Sequence, residues 1–288
     1  MKDISQAMST NVKLYCVIGD PIDHSLSPLI QNSAFNTLKI NSTYISYRVP
    51  KYELKDGIEI LRSLNIAGFN VTIPHKIEIM KYLDKLDETA IRTGAVNTVQ
   101  NLEGKFIGYN TDVYGFIQPL HKRNIDFTDM KILLLGAGGS AYAIVTGLSC
   151  ERGISELTIV NRSKSRGMEL VKHGSNLGLN CNFQQLLNLP QVTSHFNLII
   201  NATSIGLHNE ISPIPYKFIK KNSIVYELVY RPIYTNLVVN AKKVDARIVY
   251  GYEMLIEQGA KAFEIWTGRK APIKKMERSL FGVFGEPR

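Results

Sequence analysis

Apolar residues in the first hundred positions fall into short blocks whose spacing alternates between strand and helix. KLYCVIG (13–19), STYISYRV (42–49) and IAGFNVT (66–72) are apolar-rich runs of strand length. Between them lie SPLIQNSAFNTLK (27–39) and a stretch carrying Leu54, Ile58 and Leu61 at i, i+4 and i+7, the spacing of a helix face. The order is βαβαβ. A helical stretch then ends near Gly94, and AVNTVQ, the turn NLEG and KFIGYN read as a hairpin. After Asp112 a helix runs through Pro119 toward FTDMK. From Lys131 the alternation restarts with five apolar strand candidates, KILLL, LTIVN, NLIIN, SIVYEL and RIVYG, separated by helix-length spacers. That repetition predicts a second, largely parallel, doubly wound sheet. From Met254 the pattern is helical and long enough to return to the first domain. The expected organisation is therefore an α/β domain over 1–112, a Rossmann-type domain over 113–250, and C-terminal helices over 251–288 packing back on the first.

GAGGSA (136–141) follows the apolar strand KILLL directly and opens a helix, which is the setting a dinucleotide fingerprint requires. Gly136 permits the tight turn, Gly138 lets the backbone approach a pyrophosphate, and Ala141 is small enough for close helix packing; a chance glycine turn is the alternative. The next strand ends in Asn161, Arg162 and Ser163, with Lys164 and Arg166 beyond. No carboxylate stands there for the ribose diol of NAD, whereas a cation and a hydroxyl suit a 2'-phosphate. Against the alternative of a solvated basic turn, the two signals together favour NADP.

Polar residues collect where the first domain's strands run out. GDPIDHSLSP (19–28) closes the first strand, and Ser27-Pro28 has the form of an N-cap followed by proline. Capping alone accounts for Ser27 but not for Ser25, and a helix start at a sheet's C-terminal edge also attracts a carboxylate. His24 is equally suited to a structural hydrogen bond. In IAGFNVTIPHK, Phe69, Val71 and Ile73 share one parity, Asn70 and Thr72 the other, and the proline ends the strand. Lys76 is thereby delivered to the sheet edge, as a site residue or as a solvated lysine. TGAVNT (93–98) and GYNTD (108–112) bracket the hairpin and bring Asn97, Asn110, Thr111 and Asp112 to one end; an ordinary N-cap is the competing role for Asp112. Met254, Gln258, Ala262 and Trp266 recur at i+4, so Gln258 is one amide along an apolar face, either satisfied internally or touching a ligand.

Composition narrows the field. The chain has 288 residues, 44% of them apolar, which is enough for two real cores. No run reaches the ~18 apolar residues of a membrane span, and the N-terminus carries no apolar leader core. The three cysteines, Cys16, Cys150 and Cys181, are dispersed, so neither a disulfide framework nor a metal site is expected. A cytoplasmic location fits. The formal charge of +9 is scattered, and its densest run, RKAPIKKMER, holds no aromatic residue, which argues for a solvated helix face rather than nucleic-acid binding. Monomer and homodimer both stay open.

Read in order, these motifs resemble the shikimate/quinate dehydrogenase family over nearly the whole chain. GDPIDHSLSP is similar to its carboxylate-binding serine motif, NVTIPHK to its lysine motif, TGAVNT and GYNTD to its substrate asparagine and acid motifs, and GAGGSA with NRS to its NADP motifs. NATSIG (201–206), VYRPIYT (229–235) and YGYEMLIEQGA (250–260) resemble later signatures. The resemblance implies NADPH-dependent, reversible reduction of 3-dehydroshikimate to shikimate. It implies a substrate carboxylate on Ser25 and Ser27, with Thr72, Asn97, Tyr230 and Gln258 on the hydroxyls or ring. Lys76 and Asp112 would form the catalytic pair. Gly136, Gly138, Gly139, Asn161, Arg162, Ser163, Thr203 and Gly251 would line the NADP site, with Met254 near the nicotinamide. Gln31, Tyr142 and Glu227 depart from the family's usual histidine, arginine and aspartate, and Tyr142 puts one cofactor contact in doubt. A quinate/shikimate enzyme with relaxed cofactor use is the nearest alternative. A non-catalytic NADP-binding sensor is a different one, which would need neither Lys76, Asp112 nor Gln258.

Overall fold

A computed structural model describes residues 12–185, 195–207 and 211–285. The chain divides into two compact units, one running to Thr111 and taking up the chain again from Gly259, the other spanning Asp112–Gln258.

The first unit is built on β1 (Lys13–Gly19), β2 (Ser42–Arg48), β3 (Gly68–Val71), β4 (Lys85–Leu86), β5 (Thr98–Leu102) and β6 (Lys105–Tyr109), in the order β2-β1-β3-β5-β6-β4. β1 is parallel to β2 and β3, while β5 is antiparallel to β3 and β6. The parallel part is explained by the helical crossovers α1 (Ser27–Thr37) and α2 (Leu54–Ser63), the antiparallel part by the tight turn between β5 and β6. One face packs Cys16, Ile18, Phe69 and Val71 against Leu54, Ile58 and Leu61 of α2. On the other face Tyr15 stacks on Phe35 at 5.1 Å and meets Trp266, whose indole donates to Val99 O at 2.9 Å. Trp266 lies on the later part of α8 (Gly251–Thr267), which with α9 (Ile273–Phe284) completes this unit. Gly68 lets the indole close on the strand, since a Cβ there would come within 2.6 Å of its ring. The short α3 (Glu88–Thr93) is capped by Asp87, whose side chain accepts from Ala90 N, and ends on left-handed Gly94.

The second unit carries β7 (Met130–Leu135), β8 (Ile154–Asn161), β9 (Cys181–Gln185), β10 (Leu198–Asn201), β11 (Ile224–Glu227) and β12 (Arg247–Tyr250). They form an all-parallel sheet in the order β9-β8-β7-β10-β11-β12, the doubly wound arrangement whose first crossover reverses at β7. Its helices are α4 (Asp112–His121), α5 (Gly139–Leu148), α6 (Lys164–Asn176), α7 (Asn236–Lys243) and the start of α8. Burial on both faces explains the continuous apolar strands. In β7, Ile132 and Leu134 join a core with α4 and α5, while Leu133 and Leu135 join a second core with Val225 and Leu237.

Three local expectations change. The division falls inside α8, between Gln258 and Gly259, rather than at Gly251. β9 adds a sixth strand: CNFQQ is half-buried at the sheet edge, so its pattern is too polar to resemble its neighbours. Ile73 is 69% exposed, because the strand ends at Val71 and the chain turns before the isoleucine can continue its parity.

Candidate active site

Backbone hydrogen bonding between β1 and β3 continues past the ends of the two strands. Asp20 N donates to Ile73 O at 2.8 Å and Thr72 N to Ile18 O at 2.9 Å. Gly19 makes this approach possible, since a Cβ would meet Ile73 O at 2.8 Å. The serine loop and the NVTIPHK turn thus leave the same sheet edge. Ser27 is buried and is the first residue of α1, with Leu26 at the cap position, so its side chain is not the N-cap its sequence suggests. Ser25 partly takes that part: its Oγ accepts from Ser27 N at 3.3 Å. Both hydroxyls therefore lie at a helix N-terminus, where free N–H groups favour an anion.

A buried polar network lies behind the turn. Tyr44 donates to Asn70 Oδ1 at 2.7 Å, and Asn70 Nδ2 donates to Asn97 O at 3.0 Å and Thr98 Oγ1 at 2.9 Å. Asn97 Oδ1 accepts from Thr111 N at 2.7 Å and Thr98 Oγ1 at 3.0 Å, while its Nδ2 donates to Thr111 Oγ1 at 3.0 Å. Burial raises the pKa of Tyr44 well above the ordinary phenol value, an effect the Ser27 hydroxyl opposes. Asn110 donates to Ala95 O at 2.8 Å and its own N–H to Thr89 Oγ1. Lys76 is half-buried, and its carbonyl accepts from Val96 N at 2.7 Å, one residue before Asn97. Thr111, held by Asn97, is followed directly by buried Asp112, which opens α4. His75 turns inward to Val49 O at 2.6 Å, whereas His24 is exposed.

The nucleotide features gather at the C-terminal edge of the second unit's sheet. Gly136 has φ +107°, and a Cβ would meet Ala202 O at 2.8 Å, so both conformation and space call for glycine. Gly138 caps α5 with nothing within 4 Å of the position a Cβ would take. That opening, at the N-terminus of α5, fits a pyrophosphate on backbone N–H groups. Gly139 is the first residue of α5. At the end of β8, Asn161 Nδ2 donates to Ser163 O at 2.9 Å, Ser163 Oγ lies 3.0 Å from Ser165 Oγ, and Arg162 is exposed just before α6. These groups present a cation and hydroxyls without a carboxylate, a donor set that fits a 2'-phosphate.

Further along that edge, Thr203 donates its N–H and hydroxyl to Asn201 Oδ1 at 3.1 and 2.6 Å. Gly251 lies against the Leu228 backbone, where a Cβ would collide with the carbonyl. Met254 is buried in the α4–α5 core, and burial raises the pKa of Tyr230. Gln258 is buried, donates to Leu255 O at 2.9 Å, and packs on Gly115, where a Cβ would come within 2.6 Å. Sequence reasoning missed Tyr44 and Thr98 as site supports, and gave Asn201, the first residue of NATSIG, no role of its own. Asn201 at the end of β10 and Asn70 within GFNV were visible as amides in otherwise apolar buried strands, a signal that calls for partners.

One α/β unit with amide, hydroxyl and lysine groups near a helix start that suits a carboxylate, and another with a glycine turn that suits a pyrophosphate, have the make-up of a dinucleotide-dependent oxidoreductase. The chain matches the shikimate dehydrogenase substrate binding domain over residues 17–99, shikimate / quinate 5-dehydrogenase over 119–209, and the shikimate 5'-dehydrogenase C-terminal domain over 251–281. It is 49% identical to the shikimate dehydrogenase (NADP(+)) of Nitrosopumilus maritimus strain SCM1 across 94% of this chain and 99% of that one. A crystal structure of a shikimate dehydrogenase in complex with NADP+ superposes with a TM-score of 0.88 at 37% identity, over 96% of both chains. The Thermus thermophilus enzyme, in complex with NADP(H) and shikimate, gives 0.83 at 32% identity, over 93% of this chain and 98% of that one. This chain belongs to the shikimate dehydrogenase family.

Proposed function

We propose that the protein is an NADP-dependent oxidoreductase that reversibly reduces 3-dehydroshikimate to shikimate, a step of aromatic amino-acid biosynthesis. The observation that carries this reading is the 49% identity to an NADP(+) shikimate dehydrogenase over 94% of the chain, whose sequence contains every proposed catalytic and substrate residue. Bound NADPH supplies a hydride to the ketone carbon. The chain must then manage the charge that develops on the carbonyl oxygen.

Lys76 is the group assigned to that oxygen, as proton donor and positive charge. Asp112 orients the ammonium and shares the substrate hydroxyl, a task for which its fixed place after Thr111 suits it. Ser25 and Ser27 hold the substrate carboxylate at the start of α1. Thr72, Asn97, Tyr230 and Gln258 contact the ring or its hydroxyls, Asn97 being immobilised by Thr98 and Thr111. Gly136, Gly138 and Gly139 would admit the pyrophosphate, Asn161, Arg162 and Ser163 the 2'-phosphate, Thr203 and Gly251 the rest of the dinucleotide, with Met254 toward the nicotinamide. In this reading the first unit binds the substrate and the second, Asp112–Gln258, holds NADP. A cytoplasmic location accords with this biosynthetic role; among the described residues no helix is long and apolar enough to cross a membrane.

The test is a nicotinamide absorbance assay pairing shikimate and quinate with NADP+ and NAD+. Turnover should be greatest for shikimate with NADP+. Comparable turnover of quinate with NAD+ would replace the assignment by a broader quinate/shikimate activity.

A further inference from the structure

Glu227 closes β11 as a wholly buried carboxyl, and none of the roles assigned above uses it. Its Oε1 accepts from Asn201 Nδ2 at 2.9 Å and from Val229 N at 2.9 Å, and its Oε2 from Thr235 Oγ1 at 2.8 Å. One carboxyl thus ties together the end of β10, the loop after β11 and the start of α7. Thr235 also caps α7, accepting from Val238 N at 3.3 Å.

The bond to Asn201 matters because an amide has two unlike ends. Asn201 can present its Oδ1 to Thr203 only while its Nδ2 faces an acceptor on the other side. Glu227 Oε1 is that acceptor, together with Ile205 O at 3.1 Å. The oriented Oδ1 then holds both the N–H and the hydroxyl of Thr203, and Thr203 Oγ1 in turn accepts from Ile205 N at 3.1 Å. Gly206 completes the loop at φ +97°, within 3.3 Å of Thr235 for any added Cβ.

We propose that Glu227 is a positioning residue for the cofactor site: through Asn201 it fixes the loop that carries Thr203, and so the surface that meets the dinucleotide. This rests on the reading that NADP occupies that sheet edge. The carboxyl acts here as an acceptor rather than as a charge, so glutamine can replace it. In Glu227→Gln the amide oxygen would still accept from Asn201 and Val229, while the amide nitrogen donates to Thr235, whose hydroxyl oxygen can accept. Methionine of similar size would supply no comparable acceptor, and the Asn201 amide would be free to turn over.

NADPH affinity, measured by fluorescence titration, and steady-state kinetics of four variants test the inference. Glu227→Met should raise the NADPH Kd and KM about tenfold, the worth of one to two lost hydrogen bonds, with kcat at saturating cofactor changed less than about twofold. Glu227→Gln should restore most of that loss. Thr235→Val removes the other partner of the same carboxyl together with the α7 cap; it should lower Tm while leaving NADPH affinity near that of the wild type. Asn201→Ala should reproduce the rise in Kd by cutting the middle of the relay, which keeps the question open to experiment if Glu227→Met does not fold. Unaltered NADPH affinity in Glu227→Met, or in Asn201→Ala if Glu227→Met does not fold, overturns the inference, as does a glutamine variant no better than the methionine one. Equal losses in Thr235→Val would reduce Glu227 to a structural role. A wild type that binds no NADPH would instead remove the cofactor assignment itself.

Discussion

Arg162→Ala should separate the two nicotinamide cofactors. Arg162 is exposed at the end of β8, next to an Asn161 side chain already tied to Ser163 O. A charge-assisted hydrogen bond is worth about 1.5 to 3 kcal/mol, but exposed ion pairs fall to about 1 kcal/mol or less, so the loss belongs near the low end of the first range. About 1.4 kcal/mol corresponds to a tenfold weaker interaction. KM for NADP+ should therefore rise about tenfold, with Ser163, Lys164 and Arg166 left to supply residual attraction, while KM for NAD+ changes little. Initial rates at saturating shikimate, taken with both cofactors over a range of salt, give the readout. Added salt should weaken NADP+ more than NAD+ in the wild type, and the difference should shrink in the variant. Equal losses for both cofactors, or equal efficiency with both in the wild type, would refute the assignment of the NRS turn.

Lys76→Ala should slow turnover by about 10²- to 10⁴-fold with the fold retained, as judged by circular dichroism; a folded variant of near-normal rate removes Lys76 from catalysis. Asp112→Asn should also slow turnover, and the double variant should lose less than the product of the single losses if the two act as a pair. Gly136→Ala should be destabilised by more than the ~1 kcal/mol of an ordinary glycine replacement, because φ +107° and the Ala202 carbonyl both oppose a Cβ; a denaturant midpoint equal to that of the wild type contradicts this. Burial pushes the Glu227 carboxyl up to about 7, against hydrogen bonds from Val229, Thr235 and Asn201. The folded state therefore holds this proton more tightly than the unfolded chain, so its contribution is complete below the usual carboxyl range and is lost as pH rises to about 7, by roughly 3 kcal/mol at most. Urea unfolding across that window should show the decline in the wild type relative to Glu227→Gln; parallel pH profiles would exclude it.

The alternation of apolar runs disclosed the strands that both faces bury, because such strands must be continuous in hydrophobicity. β9 escaped since an edge strand needs little apolar surface, and CNFQQ carries only Cys181 and Phe183. Lys76, Ser25 and Asp112 were legible as site candidates because each follows a strand or precedes a helix, places where side chains are delivered to a sheet edge. What a linear pattern lacks is the partner. Asn70 and Asn97 are separated by a turn, a 3₁₀ segment, β4 and a helix, yet they share one network. Glu227 showed only as an acid ending an apolar strand; its meaning comes from Asn201 on the neighbouring strand, which parallel register places directly opposite it. Ser27 misled for a related reason, since serine before proline has the form of a cap while the chain starts its helix one residue earlier.

Incubating the purified protein with NADPH and 3-dehydroshikimate and identifying the product is the decisive test of the assigned reaction. Shikimate should form mole for mole with the NADPH consumed, at a rate lowered by orders of magnitude in Lys76→Ala. A folded protein that binds NADPH yet forms no shikimate, or forms it equally fast without Lys76, would contradict that assignment.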